Sequence, residues 1–175
     1  MSGCVVTALE MGYTSRMSNF KIHVSKDYLV FCAAHFITYD GVCEPLHGHN
    51  YRASVTVEGD TQADHFVFNF VTLKRTMRTL VDQLDHRTLL PDSNPAFTLT
   101  RAAGEVTVRV ADRRYVLPEA DVLILPMPNT TAEMLAKYLA GQLREKIGGT
   151  PNLTACEVTV DEVEGQSAIY REEWR

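Results

Sequence analysis

The sequence predicts an α+β subunit: an antiparallel four-stranded sheet with two helices on one face and a β-hairpin inserted between the helices. Three observations predict it. Two early segments, Phe20 to Ala34 and His47 to Glu58, carry the period-two pattern of half-buried strands. Two later segments carry single apolar stripes at helical spacing. Two more strand-like runs close the chain, giving the order β-β-α-(hairpin)-α-β-β.

Taken in order, residues 1–18 show no clear period. Met17 reads as an alternative start, so this stretch is expected to be an arm outside a single domain at 19–174. Phe20, Ile22 and Val24, followed by Tyr28 to Ala33, favour a strand through their aromatic and β-branched residues. His23 lies opposite Ile22 and reads as a solvent-facing strand residue. Tyr39-Asp40-Gly41 and Pro45 mark a loop at 36–46. The partner strand puts Tyr51, Ala53, Val55 and Val57 on one face and Arg52, Ser54, Thr56 and Glu58 on the other.

Phe70, Leu73, Met77, Leu80, Val81 and Leu84 form one stripe, predicting a helix over 70–84. Residues 91–118 form the insertion: a Pro91–Pro95 turn cluster, then a hairpin around Val106, Val108 and Val110 that returns through Tyr115 to Leu117. Its arginines, Arg109, Arg113 and Arg114, read as solvated hairpin residues rather than phosphate ligands. Thr130-Thr131-Ala132-Glu133 matches a capping box with Thr130 as N-cap, and Leu135, Leu139, Leu143 and Ile147 continue the second helix to Gly148-Gly149. Strands at 155–163 and 167–171 finish the sheet.

A length of 175 residues fits one domain or one subunit of an oligomer, and 45% hydrophobic with 22% charged residues is ordinary for a globular chain. The net charge of −5 argues against a nucleic-acid surface as the main purpose. No apolar run reaches membrane-spanning length and no basic-then-apolar leader opens the chain, so a cytoplasmic location without a membrane partner is expected. Cys4, Cys32, Cys43 and Cys156 form no CxxC pair and read as reduced thiols.

The chemistry concentrates in Cys43-Glu44-Pro45-Leu46-His47-Gly48-His49-Asn50-Tyr51. In a strand, His47 and His49 project from one face. His35 ends a run in which Phe31, Ala33 and His35 alternate onto one face, and strand pairing would bring it beside the other two. Three neutral imidazoles with a fourth position open is the usual form of a catalytic zinc site. Asp85-His86, just past the first helix, reads either as a proton relay or, by spacing alone, as a turn cap beside a surface histidine. Glu44 reads equally as a solvated loop carboxylate or a base.

These residues together resemble the 6-pyruvoyltetrahydropterin and 6-carboxytetrahydropterin synthase family of the tunnelling fold, or T-fold. The resemblance spans roughly residues 19–174 and rests on Phe31-x-Ala-Ala-His35, Cys43-x-x-x-His47-Gly-His49-Asn50-Tyr51, Leu84-Asp85-His86, Thr130-Thr131-Ala132-Glu133, and Glu162 eight residues before Tyr170. It implies that His35, His47 and His49 bind Zn2+, that Cys43 is the general base supported by Asp85 and His86, and that Glu162 holds the pterin, with Glu133 and Thr131 at the same pocket. The implied reaction converts 7,8-dihydroneopterin triphosphate, with loss of triphosphate, to a 6-pyruvoyl- or 6-carboxytetrahydropterin, serving pterin-cofactor or 7-deazaguanine (queuosine) synthesis. Glu44 beside Cys43 keeps a second reaction open: retro-aldol cleavage to 6-hydroxymethyl-7,8-dihydropterin, a folate precursor. A non-catalytic pterin- or purine-binding relative is the third reading. The resemblance also implies a homo-oligomer, trimer-based and extending to a hexamer. The 91–118 insertion departs from short members of the family, and Asn69 stands where an aspartate is common.

Overall fold

The computed structural model describes residues 19–174; the expected arm at 1–18, with Met17 and Cys4, lies outside the described residues. The elements are β1 (Phe20–His35), a short ribbon of β2 (Thr38–Tyr39) and β3 (Val42–Cys43), β4 (His47–Gly59), α1 (Phe70–Asp82), β5 (Arg87–Pro91), β6 (Phe97–Ala102), β7 (Glu105–Val110), β8 (Arg113–Pro118), β9 (Val122–Leu125), α2 (Ala132–Ile147), β10 (Leu153–Val163) and β11 (Gln166–Glu173).

The main sheet runs β11-β10-β4-β1-β5-β9. Its four antiparallel strands are those expected from alternation, but two more join as parallel neighbours on the β1 side, so the sheet is mixed and six-stranded. The reason the sequence hides them is physical. Thr88, Leu89, Leu90 and Pro91 are all buried, and a parallel strand covered on both faces reads as a short apolar run without alternation. The insertion also differs from expectation. It is a three-stranded meander, β6-β7-β8, not a hairpin. Phe97 and Leu99 of β6 alternate with exposed Thr98 and Thr100, a pattern masked by the turn residues just before it.

β1 pairs with β4 over its whole length, broken by a bulge between Ser25 and Val30. The bulge has a consequence for the site. Before it, even-numbered Ile22 and Val24 face the core. After it, odd-numbered Phe31, Ala33 and His35 do. A slip of pairing parity moves a whole side-chain set to the other face, so this bulge delivers His35 inward. The register then places His35 opposite His47 and Ala33 opposite His49.

Both helices cover the inner face of the sheet, α1 against β1 and α2 against β10 and β11. Asn69 caps α1, its Oδ1 accepting from Val71 N at 2.8 Å and Thr72 N at 3.1 Å, which supplies the N-cap function of an aspartate. Leu73, Met77, Leu80 and Val81 of α1 meet Leu135, Leu139 and Leu143 of α2 in one core, each contributing about 1.5–3 kcal/mol of burial. The α2 cap departs from the capping box. Thr131 is the N-cap, accepting from Met134 N at 3.4 Å. Thr130 is withdrawn from that role because its hydroxyl donates to the Phe36 carbonyl at 2.8 Å while its own carbonyl serves His35. Glu133 therefore falls one position too early to close the box.

Candidate metal centre and active-site cleft

The paired ends of β1 and β4 build the histidine cluster. Gly48 separates the two β4 histidines because a Cβ there would come within 2.6 Å of the Ala33 carbonyl oxygen; only glycine lets the two strands close at that point. His35 is fully buried, whereas His47 and His49 are partly open to the cleft. One ligand atom from each of the three lies within 4.8 Å of those of the other two.

The outer hydrogen bonds of the rings fix their tautomers. His35 Nδ1 lies 2.8 Å from the Thr130 carbonyl and His47 Nδ1 lies 2.9 Å from the Pro45 carbonyl. A carbonyl only accepts, so both Nδ1 atoms are donors and, in neutral rings, both Nε2 atoms present lone pairs. Those two Nε2 atoms are 3.1 Å apart. Two facing lone pairs at that distance repel unless a cation or a proton lies between them. Burial and the neighbouring His47 and His49 hold His35 towards its neutral form, against the Thr130 bond and Glu162. The donor set therefore fits a metal ion: three ring nitrogens from imidazoles, each oriented by an outer partner or by the strand itself.

Around this cluster lies a cleft of about 490 Å³ lined by Ile37, Glu44, Thr131, Glu133, Glu162 and the two β4 histidines, with the start of β11 beside them. The Glu162 carboxylate sits 3.4 Å from His49 Nε2 and 3.9 Å from His35 Nε2. Glu44 Oε2 sits 3.5 Å from His47 Nε2. Tyr51, buried below and stacked on Phe31 at 4.8 Å, places its hydroxyl 3.2 Å from His35 Nδ1. Burial, with Glu162, pushes the Tyr51 phenol up, so it stays protonated.

Cys43, Asp85 and His86 stand apart from this group. Cys43 is half-buried at the end of β3, its thiol directed to the Glu44 carbonyl at 3.4 Å, and it does not line the cleft. Burial raises its pKa. Asp85 and His86 pair with each other at 3.0 Å. Asp85 also accepts from the Cys32 backbone N–H at 2.7 Å, which with His86 holds its carboxyl below the usual range. His86 has a left-handed backbone (φ 55) and an 83% exposed side chain, so the pair projects outward, away from the cleft lining. The sequence reading missed Tyr51 as a partner of His35, the Thr130 carbonyl as its orienting acceptor, and Arg113, which donates to the Cys43 carbonyl. Tyr51 stood inside the histidine motif and was legible there; no local pattern links Arg113 to a residue 70 positions away.

A three-histidine group that could hold a metal ion, at the foot of a cleft and carried by an antiparallel ribbon under two helices, is the candidate site of an α+β protein of the T-fold class. The 6-pyruvoyl tetrahydropterin synthase family profile matches residues 23–173, and the chain belongs to this family of lyase-type enzymes. A Methanocaldococcus jannaschii protein provisionally named 6-carboxy-5,6,7,8-tetrahydropterin synthase is 32% identical over 82% of this chain and 90% of its own. A Plasmodium vivax 6-pyruvoyltetrahydropterin synthase, solved as a catalytic-residue mutant with glutamate changed to alanine, superposes with a TM-score of 0.83 at 29% identity, covering 88% of this chain and 98% of that one. A Pyrococcus furiosus dihydroneopterin monophosphate aldolase matches a shorter stretch, 39% identical over 34% of this chain and 50% of its own. Among the described residues, no helix is long and apolar enough to cross a membrane.

Proposed function

We propose that this protein is a zinc-dependent tetrahydropterin synthase that converts 7,8-dihydroneopterin triphosphate, with loss of triphosphate, to a 6-carboxy- or 6-pyruvoyltetrahydropterin. The observation that carries the reading is the pair of lone-pair-bearing Nε2 atoms 3.1 Å apart at the cleft floor. His35, His47 and His49 would hold the zinc, whose Lewis acidity would polarise the side-chain hydroxyls of the substrate and acidify the adjacent C–H bonds. Glu162 would accept hydrogen bonds from the pterin amino group and ring N–H, as a carboxylate suits. Thr131 and Glu133, at the start of α2, would border the same pterin. Cys43 would remove the side-chain proton.

The outward Asp85–His86 pair fits a site completed by a second copy, with His86 entering a neighbour's cleft. The sheet edges at β9 and β11 offer backbone groups for such pairing, and a trimer-based assembly, extending to a hexamer, is the expected form. Sedimentation of a single chain of about 20 kDa at working concentration would defeat this part.

A second reading is favoured by the position of Glu44. It lines the cleft 3.5 Å from His47 Nε2, whereas Cys43 does not line it. A glutamate base would support retro-aldol cleavage to 6-hydroxymethyl-7,8-dihydropterin. That a similar structure has a catalytic glutamate, and a partial relative is named an aldolase, supports keeping this reading. Mass-spectrometric identification of the pterin formed by zinc-loaded protein decides between them. A carboxy or pyruvoyl product lost on Cys43→Ala supports the synthase; a hydroxymethyl product lost on Glu44→Gln supports the aldolase. No product from the wild type overturns both.

A further inference from the structure

The inserted sheet β6–β8 is built onto the loop that carries Cys43. Phe36 is buried between Phe97 at 5.8 Å and Tyr115 at 5.0 Å between ring centroids. Asn94 donates to the Thr38 hydroxyl at 2.8 Å, and Asn129 donates to the Thr38 carbonyl at 2.9 Å. Cys43 packs on an apolar cluster with Val106 and Val108 of β7, separate from the main core. Of the four insertion arginines, Arg101, Arg109 and Arg114 are exposed, the last two facing each other across strands. Arg113 differs. It opens β8, is half-buried, and its Nη2 donates to the Cys43 carbonyl oxygen.

We propose that Arg113 is a positioning residue for Cys43: its guanidinium clamps the Cys43 backbone and stands beside the thiol, so that the insertion governs how readily Cys43, rather than its neighbour Glu44, acts as the base. The charges bearing on this thiol are opposed. Burial raises its pKa, Glu44 raises it further, and Arg113 lowers it; Tyr115 shares the apolar cluster but faces Phe36. A fixed guanidinium beside a half-buried thiol favours the thiolate through charge and hydrogen bonding. Without Arg113 the remaining influences all disfavour it. The inference rests on the reading of Cys43 and Glu44 as the site's two candidate bases.

The test reads the thiol directly. Metal-loaded full-length protein is alkylated with iodoacetamide across pH 6–10 (roughly spanning the usual thiol range), and Cys43 modification is followed by peptide mass spectrometry, with exposed Cys32 as internal reference. Arg113→Met should slow Cys43 alkylation at neutral pH about tenfold relative to Cys32 and move its profile to higher pH. Arg113→Lys should recover much of the rate by keeping the charge. An unchanged Cys43 profile in Arg113→Met overturns the proposal. If that variant does not fold, Arg113→Gln serves the same comparison, and a wild-type profile there overturns it equally. Because alkylation needs no turnover, absence of any pterin product together with the expected thiol shift would sink the proposed function and leave the placement of Arg113 standing.

Discussion

Cys43 lies only four positions before His47, yet its loop and the histidine centre are held by different physics. The histidines sit on two strands in fixed register, with one ring fully buried and two rings tied to backbone carbonyls. The Cys43 loop has only a two-residue ribbon of its own and is held from outside, by the insertion and by Asn129. The first arrangement is rigid because the sheet determines it. The second depends on a separate small core, so the proposed base is expected to be tunable apart from the proposed metal ligands.

The largest expected effect tests the rigid half. His35→Ala removes a buried ligand and should bring the metal content, measured by atomic emission, from about one ion per chain to near none. Its activity loss should exceed the roughly 10–100-fold typical of losing an outer partner. Retention of a full metal complement would break the assignment. Arg113→Met is the contrasting case: metal content should stay at wild-type level while Cys43 reactivity falls, and a joint loss would show that the two regions are not separable.

The smallest effect lies on the outer face of the same sheet. Buried Glu58 of β4 receives Arg171 Nε at 3.0 Å and Lys21 at 2.9 Å. The Arg171 bond, aided by Lys21, holds its carboxyl down to about 2, against desolvation. A depressed folded-state value means stability that is present above the unfolded value near 4.5 and lost as pH falls toward 2. With both partners substantially exposed, the contribution at neutral pH is on the order of 2 kcal/mol. Glu58→Gln should therefore lower stability at pH 7 and narrow the gap from wild type at pH 3, as read by urea denaturation; an equal gap at both values would remove Glu58 from the account.

The halves also differ in how far the sequence reveals them. The antiparallel strands, both helices and the three-histidine face follow from local periodicity, because register, pleat and amphipathicity are written within a few residues. The shared face of His35 with His47 and His49 was legible from Phe31, Ala33 and the His-Gly-His spacing. β5 was not, since a fully covered strand lacks alternation, and neither was β9, a four-residue apolar run at the sheet edge with no alternation of its own. The role of Thr130 was misplaced because a threonine pair offers two equivalent caps, and the choice is made by distant Phe36 and His35. Arg113 reaches Cys43 through folding of the insertion, a long-range event with no local signature.

The β1 bulge leaves one more mark on this chain. It acts as a phase slip in the pleat: the two halves of one strand keep separate accounts of inside and outside. The facing of Phe20–Val24 is set by one register and that of Val30–His35 by another, with the change between Ser25 and Val30. The strand that anchors the site is thus mechanically continuous but, in its side-chain alternation, two strands.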